Sequence, residues 1–446
     1  MSVRELRVWS LLDVAIGVAL LVWLWDRAPA AVPQWATGAI IATGAFLFAV
    51  VTMTPLDRTT LSSGVFRRGR LPDAGSHRML FYRDGRTATV SVKQVSEGSS
   101  IVLSTNGKPD ASMSPLWLAP ADTAAPRMML DSDMGTQVLL ALSTLAHAPQ
   151  ARIAAVIGQG SGVTSHFMLA SPSLTHLSTI EIEPEIIDAS RHFLPFNQRT
   201  FSDPRASFVV DDAKSYFAAG GRTYDVILSE PSNPWVSGVS GLFTDEFYRR
   251  VKSHLSPDGV FGQWLHLYEI DDDLVLSVLA AIDRNFEDYA IYGTAGMDIL
   301  VVAKPRGRLP APAGETVTGW PSVQQDLARA LPLTPEALER SLVMRREVLR
   351  PMLSANEAPN SDFNPVLDLG AERARYLRRS ADGIVSIGRS RFDLPRALVS
   401  NQRELIAEAG NGIAANFGTT DQIEALWHAL WWETHYGGRG GPTASS

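Results

Sequence analysis

From Arg152 to Pro305 the chain alternates short apolar runs with helical stretches, and this rhythm restricts the fold more than any other feature. The runs lie at 153–157, 177–182, 207–210, 224–228, 259–264 and 299–303. Each is too short for a globular helix, and most are separated by room for one. The pattern predicts an α/β unit built on a mostly parallel, doubly wound sheet. Such sheets bind ligands beyond the carboxyl ends of their strands, so the residues just after each run carry most weight.

The first run ends in Gly158-Gln159-Gly160-Ser161-Gly162. Glycines allow a sharp strand-to-helix turn and close approach of a ligand to the main chain. This loop fits a dinucleotide site, an S-adenosylmethionine-type site or a tight turn without a ligand. The second run ends in Ile180-Glu181-Ile182-Glu183, with Glu181 nineteen residues beyond Gly162. An acid there can accept hydrogen bonds from both ribose hydroxyls of a nucleoside. The third ends in Asp211-Asp212-Ala213. Its acid can accept from an adenine amine, cap the next helix, or do both. The fourth leads into Ser229-Glu230-Pro231-Ser232-Asn233-Pro234-Trp235. Glu230, in a loop stiffened by two prolines, is a candidate base.

Ahead of this region, residues 78–111 carry short alternating runs, with Asp84-Gly85 and Asn106-Gly107 as turn pairs. They predict a small antiparallel β unit within 76–130. Residues 134–147 read as a helix with Val138, Leu139, Leu142 and Leu145 on its buried face. The Rossmann-like domain is expected over 131–305. Residues 306–321, rich in Pro and Gly, read as a linker. A helical C-terminal region is expected over 322–436, including helices at 334–353 and 396–436. A disordered tail is expected over 437–446. Trp427, Trp431, Trp432 and Tyr436 read by default as a helix-packing cluster, with contact to a membrane interface or a partner as the alternatives.

The N-terminus carries two apolar blocks, 8–25 with the single charge Asp13, and 35–54 with none. Each is about the ~20 residues that cross a bilayer, which predicts a two-helix membrane hairpin over 1–55. A signal peptide for the first block and a buried soluble helix for the second are the alternatives. Arg4 and Arg7 precede the blocks, Arg58, Arg67, Arg68 and Arg70 follow them, and only Arg27 lies between. That bias predicts a multi-pass cell-membrane protein with its catalytic domain in the cytoplasm.

Composition removes other chemistries. The chain has no cysteine, which excludes thiol nucleophiles, disulfides and cysteine-held metals. Its nine histidines are scattered without ligand spacing, so no metal site is expected. Its net charge of −7 argues against a general nucleic-acid binder. Glu269 with Asp271, Asp272 and Asp273 reads as an acidic helix start, and His266 follows a core strand.

Taken together, the glycine loop, the acidic strand ends and the stretch 229–248 resemble the spermidine synthase (polyamine aminopropyltransferase) family. His192-Phe193-Leu194-Pro195, Leu242-Phe243-Thr244-Asp245-Glu246-Phe247-Tyr248 and Gly259-Val260-Phe261-Gly262-Gln263-Trp264 extend the likeness over 78–305. The Glu-Pro-Ser-Asn-Pro-Trp stretch and the apolar N-terminus look more like the membrane-fused bacterial branch. Members of that branch often carry more spans, so Met1 is expected to mark a shortened or late-starting version. Asn360-Ser361-Asp362-Phe363-Asn364-Pro365-Val366-Leu367 resembles a segment found beyond the transferase domain there.

The resemblance implies a small β unit followed by a Rossmann-like S-adenosylmethionine-dependent-transferase fold, and a homodimer. It implies aminopropyl transfer from decarboxylated S-adenosylmethionine to a small-molecule amine such as putrescine. By position, Gly158, Gly160, Ser161 and Gly162 form the co-substrate loop, Glu181 binds the ribose, and Asp212 and Ala213 flank the adenine. Glu230 stands where the family usually has its catalytic Asp. Gln137, Asn233 and Gln263 fall at amine-pocket positions. Ser161 and Asn233 replace two family acids, so two negative charges are missing from a site expected to hold cations. Glu183, Glu269 and Asp298 are the acids available to compensate. The lost acids also leave room for intact S-adenosylmethionine and a methyltransferase, or for a non-catalytic membrane-bound polyamine or nucleoside binder.

Overall fold

A computed structural model describes residues 17, 38, 42–46, 58–71, 75, 77–95, 100–114, 133–294, 297–329, 333–355 and 358–384. The expected membrane hairpin, except Gly17, Gly38 and 42–46, lies outside the described residues, as do 396–436 and the tail. Among the described residues no helix is long and apolar enough to cross a membrane.

The described chain divides into two compact units. One holds a four-stranded sheet in the order β1-β2-β3-β4, made of β1 (His77–Asp84), β2 (Thr89–Val95), β3 (Ile101–Thr105) and β4 (Lys108–Met113). The pairs β1–β2 and β2–β3 are antiparallel. Asn106 and Gly107 both take positive φ, 50° and 80°, which matches the right-handed twist of a two-residue hairpin between β3 and β4. The same unit takes Glu183–His192 from the middle of the Rossmann-like region, a grouping that a linear boundary at residue 131 does not contain. Glu183 is the reason. Its carboxylate accepts from the Thr87 amide at 2.7 Å, the Thr87 hydroxyl at 2.9 Å and the Ala88 amide at 3.2 Å. Burial opposes its charge, but these bonds prevail and hold its pKa below the ordinary glutamate value. Arg83 adds exposed pairs to Glu185 and Asp188.

The second unit is built on eight strands in the order β12-β10-β11-β9-β8-β5-β6-β7. They are β5 (Ile153–Ile157), β6 (His176–Glu181), β7 (Ala206–Val210), β8 (Tyr224–Ser229), β9 (Leu255–His266), β10 (Asp288–Gly293), β11 (Asp298–Lys304) and β12 (Leu342–Arg345). The strands β7, β6, β5, β8 and β9 run parallel. Next to β9 the sheet turns antiparallel through β11, β10 and β12. The sheet is therefore mixed, where the sequence predicts a mostly parallel one. The connection from β10 to β11 is too short for a crossover, which requires a dozen or more residues, so the two strands form an antiparallel pair.

Helix α1 (Asp133–His147) precedes β5 and is buried at every position after Asp133, so its burial is not confined to the four-residue face read from periodicity. Helices α2 (Val163–Met168), α3 (Pro184–Ser190), α4 (Gln198–Ser202), α5 (Ala213–Ala218), α6 (Asp245–Ser253) and α7 (Asp272–Asn285) follow. Asp271 caps α7 by accepting from the Leu274 amide, and Asp272 and Asp273 lie in its first turn, as the acidic run predicts. Phe261 and Phe286 stack at 5.5 Å within a core that includes Phe217, Phe243, Phe247 and Tyr248.

Two expectations need correction. Residues 306–321 are not wholly linker, because α8 (Gly314–Thr318) forms there and Leu309, Val317 and Trp320 are buried. Residues 334–353 are not one helix. Helix α10 (Pro335–Arg340) and α11 (Arg346–Ala355) flank β12, which satisfies the free edge of β10. Between α8 and α10 lies α9 (Pro321–Asp326), and α12 (Val366–Tyr376) follows α11.

Candidate active site

The site lies in the second unit, at the carboxyl ends of β5, β6, β8 and β9. Its floor is the turn from β5 into α2. Gly158, Gly160 and Gly162 all have positive φ, at 91°, 48° and 81°. Asn197 donates to the Ser161 carbonyl at 2.7 Å and Thr200 to the Gly162 carbonyl at 2.8 Å. The turn is thus fixed from the side of α4, and its own amides at Gly158 and Gly162 donate to the carbonyls of Ile180 and Gln159. A Cβ on Gly158 would stand 2.5 Å from the Glu230 carbonyl oxygen. Gly158→Ala is therefore expected to cost about 1–2 kcal/mol in backbone strain alone and to displace Glu230. Chemical denaturation checks the first effect and the pH profile of turnover the second.

Glu181, at the end of β6, is buried and accepts from the Gln159 amide at 2.8 Å. This bond ties the acid to the glycine turn. Asp212 follows β7 and accepts from the Ser215 amide at 2.8 Å, so it caps α5. Ala213 is buried beside it. The capping role noted from sequence is thus present in the fold.

Glu230 follows β8 and joins a compact network. Its carboxylate accepts from the Thr164 hydroxyl in the first turn of α2 and from the Gln137 amide of α1. Gln137 accepts in turn from the Ser161 hydroxyl. Gln137, Ser161 and Thr164 are all buried. Desolvation pushes the Glu230 pKa up to about 7, and the negative charges of Asp298 and Asp133 add to it. Hydrogen bonds from Thr164 and Gln137 act in the opposite direction.

Asp298, the first residue of β11, is also buried and accepts from the Thr136 hydroxyl at 3.1 Å. Burial pushes its pKa up to about 7 against hydrogen bonding from Thr136 and Trp264, with Asp133 again raising it. Two acids poised near neutrality at one sheet end form a proton-accepting, cation-seeking site.

Other expected residues sit differently. Gln263 is fully buried, and its amide donates to the carbonyls of Trp264 at 2.9 Å and Ser229 at 3.3 Å. Those bonds hold it within the sheet beneath the site. Buried Asn233 has a long contact of 3.4 Å to the Tyr268 hydroxyl. Of the compensating acids named from sequence, Glu183 is engaged in the first unit and Asp298 lies in this site. Thr136 and Thr164 were not read from the sequence. For Thr164 the only signal was a hydroxyl two residues beyond the last glycine. Among the described residues no group of three or more His, Cys, Asp or Glu side chains could hold a metal ion.

Residues 134–297 match the family described as Spermine/spermidine synthase domain. A polyamine aminopropyltransferase of Synechococcus sp. (strain JA-2-3B'a(2-13)) is 39% identical over 108 residues, covering 24% of this chain and 35% of the relative. Putrescine N-methyltransferase 2 of Nicotiana attenuata is 33% identical over 132 residues, covering 28% and 35%. The chain thus spans about one third of the length of these two relatives. A solved spermidine synthase in complex with the transition state analogue AdoDATO overlaps 61% of this chain and 87% of its own, at 18% identity and a TM-score of 0.47.

Proposed function

We propose that the chain transfers the aminopropyl group of decarboxylated S-adenosylmethionine to an amine such as putrescine, with Glu230 as the base. The observation that carries this reading is the Glu230 carboxylate, raised to about 7 beside a glycine turn that is itself bonded to the nucleoside-directed acid Glu181. The match of residues 134–297 to the family supports it.

The chemistry follows from the amine. A primary ammonium loses its proton only near pH ~10 in water, and the protonated form has no lone pair. Glu230 takes one N–H proton. The freed lone pair forms the new C–N bond to the methylene beside the sulfonium. The C–S bond breaks, its electron pair stays on sulfur, and a neutral thioether leaves. Glu181 and the glycine turn hold the nucleoside so that carbon and nitrogen meet in line. A base with a pKa near the working pH combines a populated carboxylate with a useful proton affinity.

Methyl transfer from intact S-adenosylmethionine to an amine is the second reading. Ser161 favours it, because the hydroxyl bonded to Gln137 leaves no carboxylate on the loop to pair an aminopropyl ammonium. Incubation of the full chain with putrescine and either donor decides between them. Spermidine with 5′-methylthioadenosine marks aminopropyl transfer. Methylputrescine with S-adenosylhomocysteine marks methyl transfer. Multiple turnover of neither rejects both and leaves a binding role.

The proposal extends to a multi-pass membrane anchor with the site on the cytoplasmic side. Its support is the two charge-poor apolar blocks and the arginines flanking them. Protease access in sealed vesicles tests the orientation.

A further inference from the structure

We propose that Asp298 is the second carboxylate that binds the cationic amine, replacing from another strand the charges absent at Ser161 and Asn233. The proposal rests on amine transfer by either donor.

Strand direction is the first argument. Because β11 runs antiparallel to β9, its first residue lies beside the last residue of β9, with Asp298 opposite His266. Ser229, immediately before Glu230, pairs with Gln263 three residues earlier on β9. Asp298 therefore stands at the ligand end of the sheet, within electrostatic reach of Glu230.

The second argument is an unmade bond. Oδ2 of Asp298 accepts from Thr136 and Trp264 also approaches the carboxylate, but Oδ1 makes no hydrogen bond of normal geometry although it is shielded from solvent and the residue is only 8% exposed. A buried carboxylate oxygen without a partner is expensive and uncommon. Glu230 is similarly served by Thr164 and Gln137, with neither Lys nor Arg among its described partners. Asp133 at the start of α1 adds negative charge, and His266 faces Asp298 from β9. An internal salt bridge would satisfy these acids permanently. This arrangement leaves them for an ammonium group that arrives with the substrate.

The proposal has a consequence without substrate. Asp298 has a folded-state pKa of about 7, above the ordinary unfolded value of about 3.9. Its protonated form is favoured by folding, so that contribution is complete below about 3.9 and is lost as pH rises through about 7. Asp298→Asn keeps the shape and removes the buried charge. Its stability gain over the natural chain is expected to grow between pH 5 and pH 8.

The test uses the full chain and calorimetric titration with putrescine in saturating 5′-methylthioadenosine. Asp298→Asn is expected to weaken putrescine binding about 10- to 100-fold, with 5′-methylthioadenosine binding unchanged. Asp298→Glu should recover part of the loss. Equal putrescine affinity in the natural chain and Asp298→Asn overturns the role of Asp298 while leaving amine transfer standing. Absence of amine binding in the natural chain overturns both. A variant that is less stable than the natural chain at pH 8 also overturns the proposal, because it makes the carboxylate a structural support.

Discussion

Glu230→Gln is expected to lower kcat for amine transfer by about 10²- to 10⁴-fold while leaving nucleoside affinity nearly unchanged. Glutamine has the same shape and can still accept from Thr164, so the network from Ser161 through Gln137 has reason to persist. What it cannot do is take a proton. The pH profile separates this loss from a packing defect. In the natural chain kcat/KM should rise as pH approaches about 7 and then level, because the carboxylate must be ionised to act. Glu230 and Asp298 interact, so the limb reports the pair and not one residue. Once a cation is bound, the charged forms are favoured and the corresponding limb in kcat should move to lower pH. In Glu230→Gln the limb assigned to the base should vanish. A Gln variant with full turnover and an unaltered profile would falsify the assignment.

The site was legible where the sequence marks both position and main-chain requirement. The positive φ values of Gly158, Gly160 and Gly162 match the sharp turn their spacing suggests. The apolar runs at 153–157 and 224–228 end at the site because parallel strands deliver their carboxyl ends to one edge. Asp298 was only one of three possible compensating acids, for a definite reason. The run at 299–303 reads as a strand but carries no sign of direction. In a parallel strand the residue before that run would lie at the far edge, whereas antiparallel pairing with β9 brings it beside His266. The strand that precedes β11, namely β10, did not stand out, because its apolar stretch 289–292 lies between an acidic start and a glycine end. Gln263 shows another limit. Its position on β9 was readable, but its side-chain partners, the carbonyls of Ser229 and Trp264, follow from packing alone. The four-residue strand β12 was hidden between helices because a run that short has no period of its own.

Asn360→Ala is expected to destabilise the second unit by about 2–4 kcal/mol, although Asn360 lies outside the 134–297 match. The side chain is buried and bonded at both ends. Its amide donates to the Phe243 carbonyl at 2.9 Å, and its carbonyl accepts from the Leu367 amide at 3.1 Å. Its main chain accepts from the Asp245 amide, one of the unpaired donors at the start of α6. Alanine keeps the main-chain bond and strands the other two groups away from water, which explains a loss larger than one ordinary hydrogen bond. The effect should reach turnover, because the same segment anchors the loop that follows Glu230. Asp368 accepts from the Ser240 hydroxyl at 2.7 Å, and the Arg375 guanidinium lies 4.5 Å from the Trp235 ring centre. Loosening Asn360 frees one of the points at which 358–384 holds the loop between Pro231 and Phe243. A shift of 1 Å at a reacting group can cost about 100-fold in rate, so kcat should fall in protein that remains folded. Denaturant midpoints and single-turnover rates on the same sample separate the two consequences. A stability loss below about 0.5 kcal/mol, the range of ordinary surface changes, would show that 358–384 is not what holds this loop.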